Sequence, residues 1–287
     1  MTQPPGGGPT VRRVQLGARL RVLREAAGVT RANAGWAIRG SESKISRMEL
    51  GRVSFKTRDV VDLLSLYGLK DEEERSRLVA LAEEANTPGW WQAYTDILPD
   101  WFQNYLDLEG AAEQIRTYEV QFVPGLLQTE SYARAVIELG RNHGPGEIGR
   151  RAELRAARRQ ILDRPDAPLL WVVLDEAVLR RPIGNERILR DQIRSLREIA
   201  GHDRVRLQIL PFTAGGHSGT GGAFSVLRFP HPDLPDVVYL EHLTSAVYLE
   251  RPSDVDAYSG AFGELIIQAA QPDDSAELLG KILDDLS

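Results

Sequence analysis

The sequence predicts an α+β protein in which a five-helix N-terminal domain precedes a larger mixed α+β domain. In residues 11–85, apolar residues recur every three or four positions, as they do in helices that bury one face. In residues 90–287, short apolar or alternating runs typical of strands lie between helical stretches. Residues 86–89 contain a proline and a glycine, so we place the junction of the two domains there.

The composition is that of a globular protein with room for two cores, with 42% hydrophobic and 26% charged residues in a chain of 287. It has no apolar run of about 18 residues, which predicts that it does not interact with a membrane. Residues 1–10 are rich in Pro and Gly, so we expect a disordered tail there, no signal peptide and a cytoplasmic location.

The chain has no Cys and five scattered His. Disulfides, thiolate zinc sites and Cys nucleophiles are therefore excluded, and no pair of His has the i, i+4 spacing of metal ligands. We predict no metal, no cofactor and no catalytic residue.

The first predicted helix buries a face with Leu16 and Leu20 and ends at Gly28, because glycine readily takes the left-handed conformation that closes a helix. Gly51 ends the third helix in the same way. The four later helices of this domain begin at residues that favour helix starts, namely Thr30, Ser41, Ser54 and Asp71.

The second domain is predicted to contain both helices and strands. Helices are expected over 108–117, 129–139, 146–162, 188–200 and 254–268, the last closing the chain, and strands over 169–174, 205–210, 223–229 and 237–240. Between the first two of these helices lies a compact segment over 118–128.

Charge is distributed unevenly along the chain. Residues 1–70 hold thirteen Lys or Arg and five Asp or Glu, a net +8, and the remainder carries −14. A small basic domain on an acidic body is expected where one part neutralises phosphates and the other does not. A chance clustering of solvated charges is the alternative.

Residues 30–50 form two short helices joined by a tight turn, the arrangement that lays a recognition helix in the major groove of DNA. Residues 14–70 resemble XRE-type, or phage-repressor-like, helix-turn-helix regulators, through L-G-A-R-L-R-V-L-R at 16–24 and S-E-S-K-I-S-R-M-E-L-G-R at 41–52. The resemblance implies a sequence-specific transcriptional regulator that binds double-stranded DNA. A homodimer is expected, because one such head covers only a half-site.

The resemblance also implies roles for particular residues. The family pairs an Arg of the first helix with the Glu that ends the recognition helix, here Arg24 and Glu49, although a weak surface ion pair is the alternative. The base-reading positions fall on Glu42, Ser43 and Arg47, with Lys44 and Ser46 nearby.

The chemistry of these side chains supports part of the assignment. Arg47 can donate two hydrogen bonds to guanine, Ser43 can serve either base, and Glu42 can accept one from cytosine. Phosphate contacts are expected from Arg31, which stands where the family usually has Gln, and from Arg52 and Lys56. Arg12, Arg13, Arg19 and Arg58 are expected to be solvated.

The chain departs from the family in its second helix. Gly35 lies inside that helix at a cost of up to about 1 kcal/mol relative to Ala, and the turn glycine comes one place late, at Gly40 after Arg39. We expect this helix to be weak and to depend on packing by Trp36 and Ile38, or on DNA itself.

The second domain resembles, over roughly residues 90–285, that of actinobacterial WhiJ-type regulators. The similar strings include L-D-L-E-G-A-A-E-Q-I-R-T-Y-E at 106–119, V-P-G-L-L-Q-T-E-S-Y-A-R at 123–134 and L-P-F-T-A-G-G-H at 210–217. The resemblance implies a sensor or docking role, for a small-molecule effector or a small protein partner, and we also expect this domain to dimerise the protein. It implies no catalytic residue.

Two other classes of function compete with this interpretation. The glycine-rich loop 215–222 could hold an anion or serve a hydrolase through His217, paired with Glu176 or Glu241, although a hairpin loop is favoured because the loop lacks the known nucleotide and nucleophile motifs. Glu109, Glu113, Arg116 and Glu119 are interpreted as a solvated helix face. An antitoxin-like protein-interaction factor that regulates its own synthesis through the DNA-binding head is the other alternative.

Overall fold

The computed structural model describes residues 9–51, 53–87, 89–140, 144–230 and 234–286. It confirms the α+β class, with a helical N-terminal region followed by a mixed sheet and further helices. The described residues divide into two compact units. The first takes in those within 1–95, 102–111 and 229–235, and the second takes in the rest.

The helices of the N-terminal region pack around one apolar core. This core includes Leu16, Ile45, Val60 and Leu64, each at most 1% exposed, because every helix turns its apolar stripe inward. The helices are α1 (Pro9–Ala26), α2 (Arg31–Ala37), α3 (Glu42–Glu49), α4 (Thr57–Leu66) and α5 (Glu72–Glu84).

Two predicted boundaries in this region are wrong. α1 begins at Pro9, so residues 9 and 10 are helical, and residues 1–8 of the predicted tail lie outside the described residues. The N-cap of α4 is Lys56 and not Ser54. Phe55 lies between them and is buried in the core, and its burial keeps the backbone extended past Ser54.

The described part of the C-terminal region forms a six-stranded sheet in the order β3-β2-β1-β4-β5-β6. The first three strands run parallel to one another, and each of the others is antiparallel to its neighbours. The strands are β1 (Gln114–Glu119), β2 (Leu169–Asp175), β3 (Val205–Leu210), β4 (Phe224–Arg228), β5 (Val237–Glu241) and β6 (Ala246–Leu249).

Helices connect these strands and cover the sheet. Phe262 and Leu265 of the helix after β6 pack against Tyr118 and Val173 in a second core. The helices of this region are α7 (Glu130–Glu138), α8 (Pro145–Arg159), α9 (Glu176–Arg180), α10 (Glu186–Ile199), α11 (Pro252–Gln268) and α12 (Pro272–Asp285), whereas most of α6 (Asp100–Ala111) belongs to the first unit. Short 3-10 helices lie at Trp90–Tyr94, Gly125–Leu127, Gln160–Asp163 and Phe212–Ala214.

The four predicted strands are confirmed, but the helix predicted over 108–117 is wrong. α6 ends at Ala111, and β1 begins at Gln114. Strand pairing decides this segment, since Ile115 and Thr117 lie opposite Leu170 and Val172 of β2 and opposite residues of β4. Consequently Glu109, Arg116 and Glu119 do not share a helix face.

Three further features of this region differ from expectation. Strand β6 was not predicted, and α12 follows the helix that was expected to close the chain. The glycine-rich loop is not a hairpin, because β2 and β1 separate β3 from β4 in the sheet.

Candidate nucleic-acid interface

Helices α2 and α3 begin as the sequence predicts. The Thr30 hydroxyl accepts a hydrogen bond from the Asn33 amide, and the Ser41 hydroxyl accepts one from the Lys44 amide, each at 3.1 Å. Both helices are therefore capped at their N-termini. Gly35 also allows α2 to pack closely against the start of α3, because a Cβ there would lie 2.8 Å from the Ser41 carbonyl carbon.

The recognition helix α3 has a buried face and an exposed face. Ile45 and Met48 are buried in the core, whereas Glu42, Ser43 and Arg47 are exposed to solvent, and Ser46 is partly exposed. Arg47 has only a long hydrogen bond of its own, from Nε to the Ser43 carbonyl at 3.4 Å. The residues predicted to read bases are thus available to a ligand.

The predicted pair of Arg24 and Glu49 is buried and is not a surface ion pair. Arg24 Nε lies 2.5 Å from Glu49 Oε1, and the two side chains are 9% and 3% exposed. Arg24 also donates to the Val29 carbonyl at 2.9 Å. The hydrogen bond to Glu49 raises the pKa of Arg24. The pair ties the end of α3 to α1.

Arg31 shares the same carboxylate. Its Nε lies 2.9 Å from Glu49 Oε2, so Arg31 ties the start of α2 to the recognition helix and keeps part of its guanidinium exposed. Arg24 also pairs with Glu25 at 3.2 Å, so the two arginines are matched by two carboxylates. The residue thus has a supporting role in addition to its predicted phosphate contact, which stays a prediction.

Lys44 is held by a partner that the sequence did not indicate. Its Nζ lies 2.6 Å from Oδ2 of Asp59 on α4, and the Asp59 side chain is 2% exposed. Gly40 leaves room for this arrangement, because a Cβ there would lie 2.9 Å from Lys44 Cδ. Lys44 therefore supports α3, and its predicted contact with DNA must compete with Asp59. The sequence contained one indication of this contact, an acidic residue beside the apolar stripe of α4.

The predicted phosphate clamps differ in what the structure says of them. Lys56 is exposed at the start of α4. Arg58 was expected to be a solvated charge and not a clamp, and its side chain is 67% exposed with Asp59 at 3.7 Å. Arg52 lies outside the described residues. Lys56 and Arg58 follow α3 closely in the chain and are available for phosphate.

Three arginines that were expected to be solvated are instead structural. Arg12 Nε lies 3.1 Å from Glu84, and Arg19 Nε donates to Glu74 at 2.6 Å. Arg13 donates to the Ala85 carbonyl at 3.2 Å. All three join α1 to α5 or its C-terminal cap, and the carboxylates come close only because the helices pack side by side.

The exposure of Trp36 and the backbone conformation of Arg39 were not predicted from the sequence. Trp36 is 85% exposed and does not stabilise α2 by packing, whereas Ile38 is buried. Arg39 has a φ of 53° and is the only non-glycine residue with positive φ in the described ranges. Sequence reasoning passed over Arg39, and the late position of Gly40 was the signal that could have identified it.

In the second unit, His217 lies beside Tyr118 and Asp175 and does not meet the partners considered from the sequence. Its Nε2 is 3.3 Å from the Tyr118 hydroxyl and 4.0 Å from Asp175 Oδ2, and its Nδ1 accepts from the Gly219 amide at 3.1 Å. Burial, followed by the charge and hydrogen bond of Asp175, raises the pKa of Tyr118. Ser218 donates instead to the Ala261 carbonyl at 2.9 Å.

The glutamates considered as partners of His217 are engaged elsewhere. Glu176 accepts from the Phe212 amide at 2.9 Å and pairs with Arg180 at 3.0 Å, and Glu241 accepts from the Tyr239 hydroxyl at 2.9 Å. The two glutamates therefore do not pair with His217.

The described residues offer no group of three or more His, Asp or Glu that could hold a metal ion. Within the same ranges, no helix is both long enough and apolar enough to cross a bilayer. The candidate site is therefore the capped pair α2 and α3, where exposed polar and basic side chains lie on the recognition helix.

Comparison with known families places the two parts of the chain. A helix-turn-helix domain model matches residues 15–78, which defines the N-terminal part as a head of the class found in DNA-binding regulators. A model described as a domain of unknown function, DUF5753, matches residues 102–281. The chain belongs to this DUF5753 family. No curated protein and no solved structure gave a match.

Proposed function

We propose that the protein is a sequence-specific transcriptional regulator that binds double-stranded DNA through α3. One observation carries the proposal: α3 is capped, is tied to α1 through buried Glu49, and presents Ser43 and Arg47 to solvent. A helix held in this way can enter a major groove without rearranging, and its exposed side chains have the chemistry to contact base edges.

The resemblance to XRE-type proteins supports this assignment, and Arg31, Lys56 and Arg58 would hold the phosphates on either side of the groove. Lys44 and Ser46 would act near the bases only where Lys44 leaves Asp59. A regulator of this kind works as a cytoplasmic homodimer, because two heads are needed to cover two half-sites.

The C-terminal DUF5753 domain is proposed to dimerise the protein and to sense a small-molecule effector or a small protein partner. The resemblance to WhiJ-type actinobacterial regulators supports this role. We propose no catalytic role for the domain, since His217 is held by Tyr118 and Gly219, and Ser218 donates to a backbone carbonyl away from it.

The test is selection of bound duplexes from a random library by the full chain and by Arg47→Ala. Wild type should enrich an inverted repeat. Arg47→Ala should lose about 1 to 3 kcal/mol on the selected site and relax one position in each half. Lys56→Ala is the matched control, and it should weaken all duplexes nearly equally. Wild type that enriches no sequence would refute the proposed function.

A further inference from the structure

The turn that joins α2 to α3 holds an arginine in a conformation that favours glycine. Arg39 has a φ of 53°, and the turn closes with hydrogen bonds from the Arg39 amide to the Trp36 carbonyl at 3.0 Å and from the Gly40 amide to the Gly35 carbonyl at 2.8 Å. This is the pattern of a helix C-terminus whose left-handed position is usually glycine.

The next residue, Gly40, is a glycine, but it does not occupy the left-handed position. The φ of Gly40 is not positive, so Gly40 occupies a position whose backbone conformation does not require a glycine. The left-handed conformation strains any residue with a Cβ. Backbone strain in a folded protein is concentrated where a side chain is needed for function.

The Arg39 side chain is free to act. It is exposed, and in the described part of the chain it has no ion pair or side-chain hydrogen bond. Other basic residues of the same unit, such as Arg12, Arg19 and Arg24, are bound to carboxylates. An arginine kept in a strained turn without a protein partner indicates a partner outside the protein.

The position of Arg39 identifies that partner. Arg39 stands two residues before Ser41, the N-cap of α3. In helix-turn-helix complexes the N-terminal residues of the recognition helix contact base edges, so the turn before it lies at the rim of the groove, where the phosphates are. A guanidinium can bind phosphate through two parallel hydrogen bonds.

We propose that Arg39 is a DNA phosphate contact, and that the chain keeps an arginine in the left-handed position for this purpose. The inference rests on the proposed function and adds a contact that neither the sequence motif nor the family match assigns. It makes an unusual prediction, because the substitution that relieves the backbone should harm DNA binding.

The experiment compares the full-length wild type with Arg39→Gly and Arg39→Lys on the selected duplex and on a random duplex. Arg39→Gly should raise the melting temperature by about 2 to 4 °C. It should also lower affinity about 3- to 10-fold on both duplexes and reduce the salt slope by about 1 for each head that is bound. Arg39→Lys should recover most of the affinity and none of the melting temperature.

Arg77→Gln removes an exposed arginine of α5 in the same unit and is the control for loss of charge alone; its effect on affinity should be small. Arg39→Gly that binds as tightly as wild type would overturn the phosphate contact. A melting temperature that falls in Arg39→Gly would overturn the strain argument. If wild type binds no duplex, the proposed function fails first and this inference fails with it.

Discussion

Glu49 is the residue on which the orientation of α3 depends most. Its carboxylate accepts from Arg24 of α1 and from Arg31 of α2, so one buried side chain joins three helices. A buried ion pair is weak evidence for stability, because desolvation offsets the attraction between the charges. Its contribution is specificity of geometry: the pair sets the direction in which α3 leaves the core.

Removing one partner of this pair should be much worse than removing both. Glu49→Ala should cost about 3 kcal/mol of unfolding free energy, because the buried Arg24 loses its closest carboxylate and keeps only the half-exposed Glu25. The double variant Arg24→Met, Glu49→Leu should cost less than Glu49→Ala in chemical denaturation. It should nevertheless bind DNA more weakly than wild type, because α3 is no longer held at its angle.

The control is the exposed pair of Arg21 and Glu25 on α1, which lies four residues apart along the helix. Arg21→Ala should leave the denaturation midpoint nearly unchanged, because solvent screens that pair. A double variant less stable than Glu49→Ala would contradict the account of the buried pair.

At the scale of the elements, the approach of α1 to α3 is as close as backbone permits. A Cβ at Gly17 would lie 2.3 Å from the Met48 carbonyl oxygen and 2.8 Å from that of Glu49. Real Cβ atoms do not approach backbone so closely, so α1 and α3 would have to separate. The recognition helix is therefore positioned by a glycine on another helix as well as by its own residues.

Gly17→Ala should accordingly destabilise the protein by about 1 to 3 kcal/mol, although alanine is the better helix former. Gly149→Ala is the matched control, since Gly149 lies inside α8 with nothing within 4 Å of its added Cβ. It should stabilise the protein by about 0.5 to 1 kcal/mol. Equal effects of the two substitutions in thermal unfolding would contradict the close approach.

At the scale of the whole molecule, the uneven charge of the chain predicts the salt dependence of binding. The basic side chains near α3 that are proposed to contact phosphates are Arg31, Arg39, Lys56 and Arg58, and each can displace about one counterion. We expect the acidic remainder of the chain to add no phosphate contact.

The logarithm of the binding constant should therefore fall with the logarithm of salt concentration with a slope of about −3 to −4 for one head. A homodimer should give about twice that slope. Fluorescence anisotropy of a labelled duplex between 50 and 200 mM salt, with sedimentation of the same complex, checks both numbers. Binding that does not change over this range would contradict phosphate contacts by the head.

Local features of the chain could be predicted from its sequence. The caps Thr30, Ser41 and Asp71 act on amides two or three residues away, and the helix ends at Gly28 and Gly51 depend on one backbone conformation. Strand β2 was also recognisable, because a strand covered on both faces reads as a nearly continuous apolar run, and β3 was recognisable from the alternation of its apolar and polar residues. The α+β class followed from these patterns.

Tertiary structure alone decided the features that depend on residues distant in the chain. Residues 114–117 became strand through pairing with β2 and β4, and Lys44 was drawn to Asp59 across α3 and α4. Trp36 stayed exposed although its type favours burial. Pattern and spacing report a residue's immediate neighbours, whereas these outcomes were set by partners that only folding brings within reach.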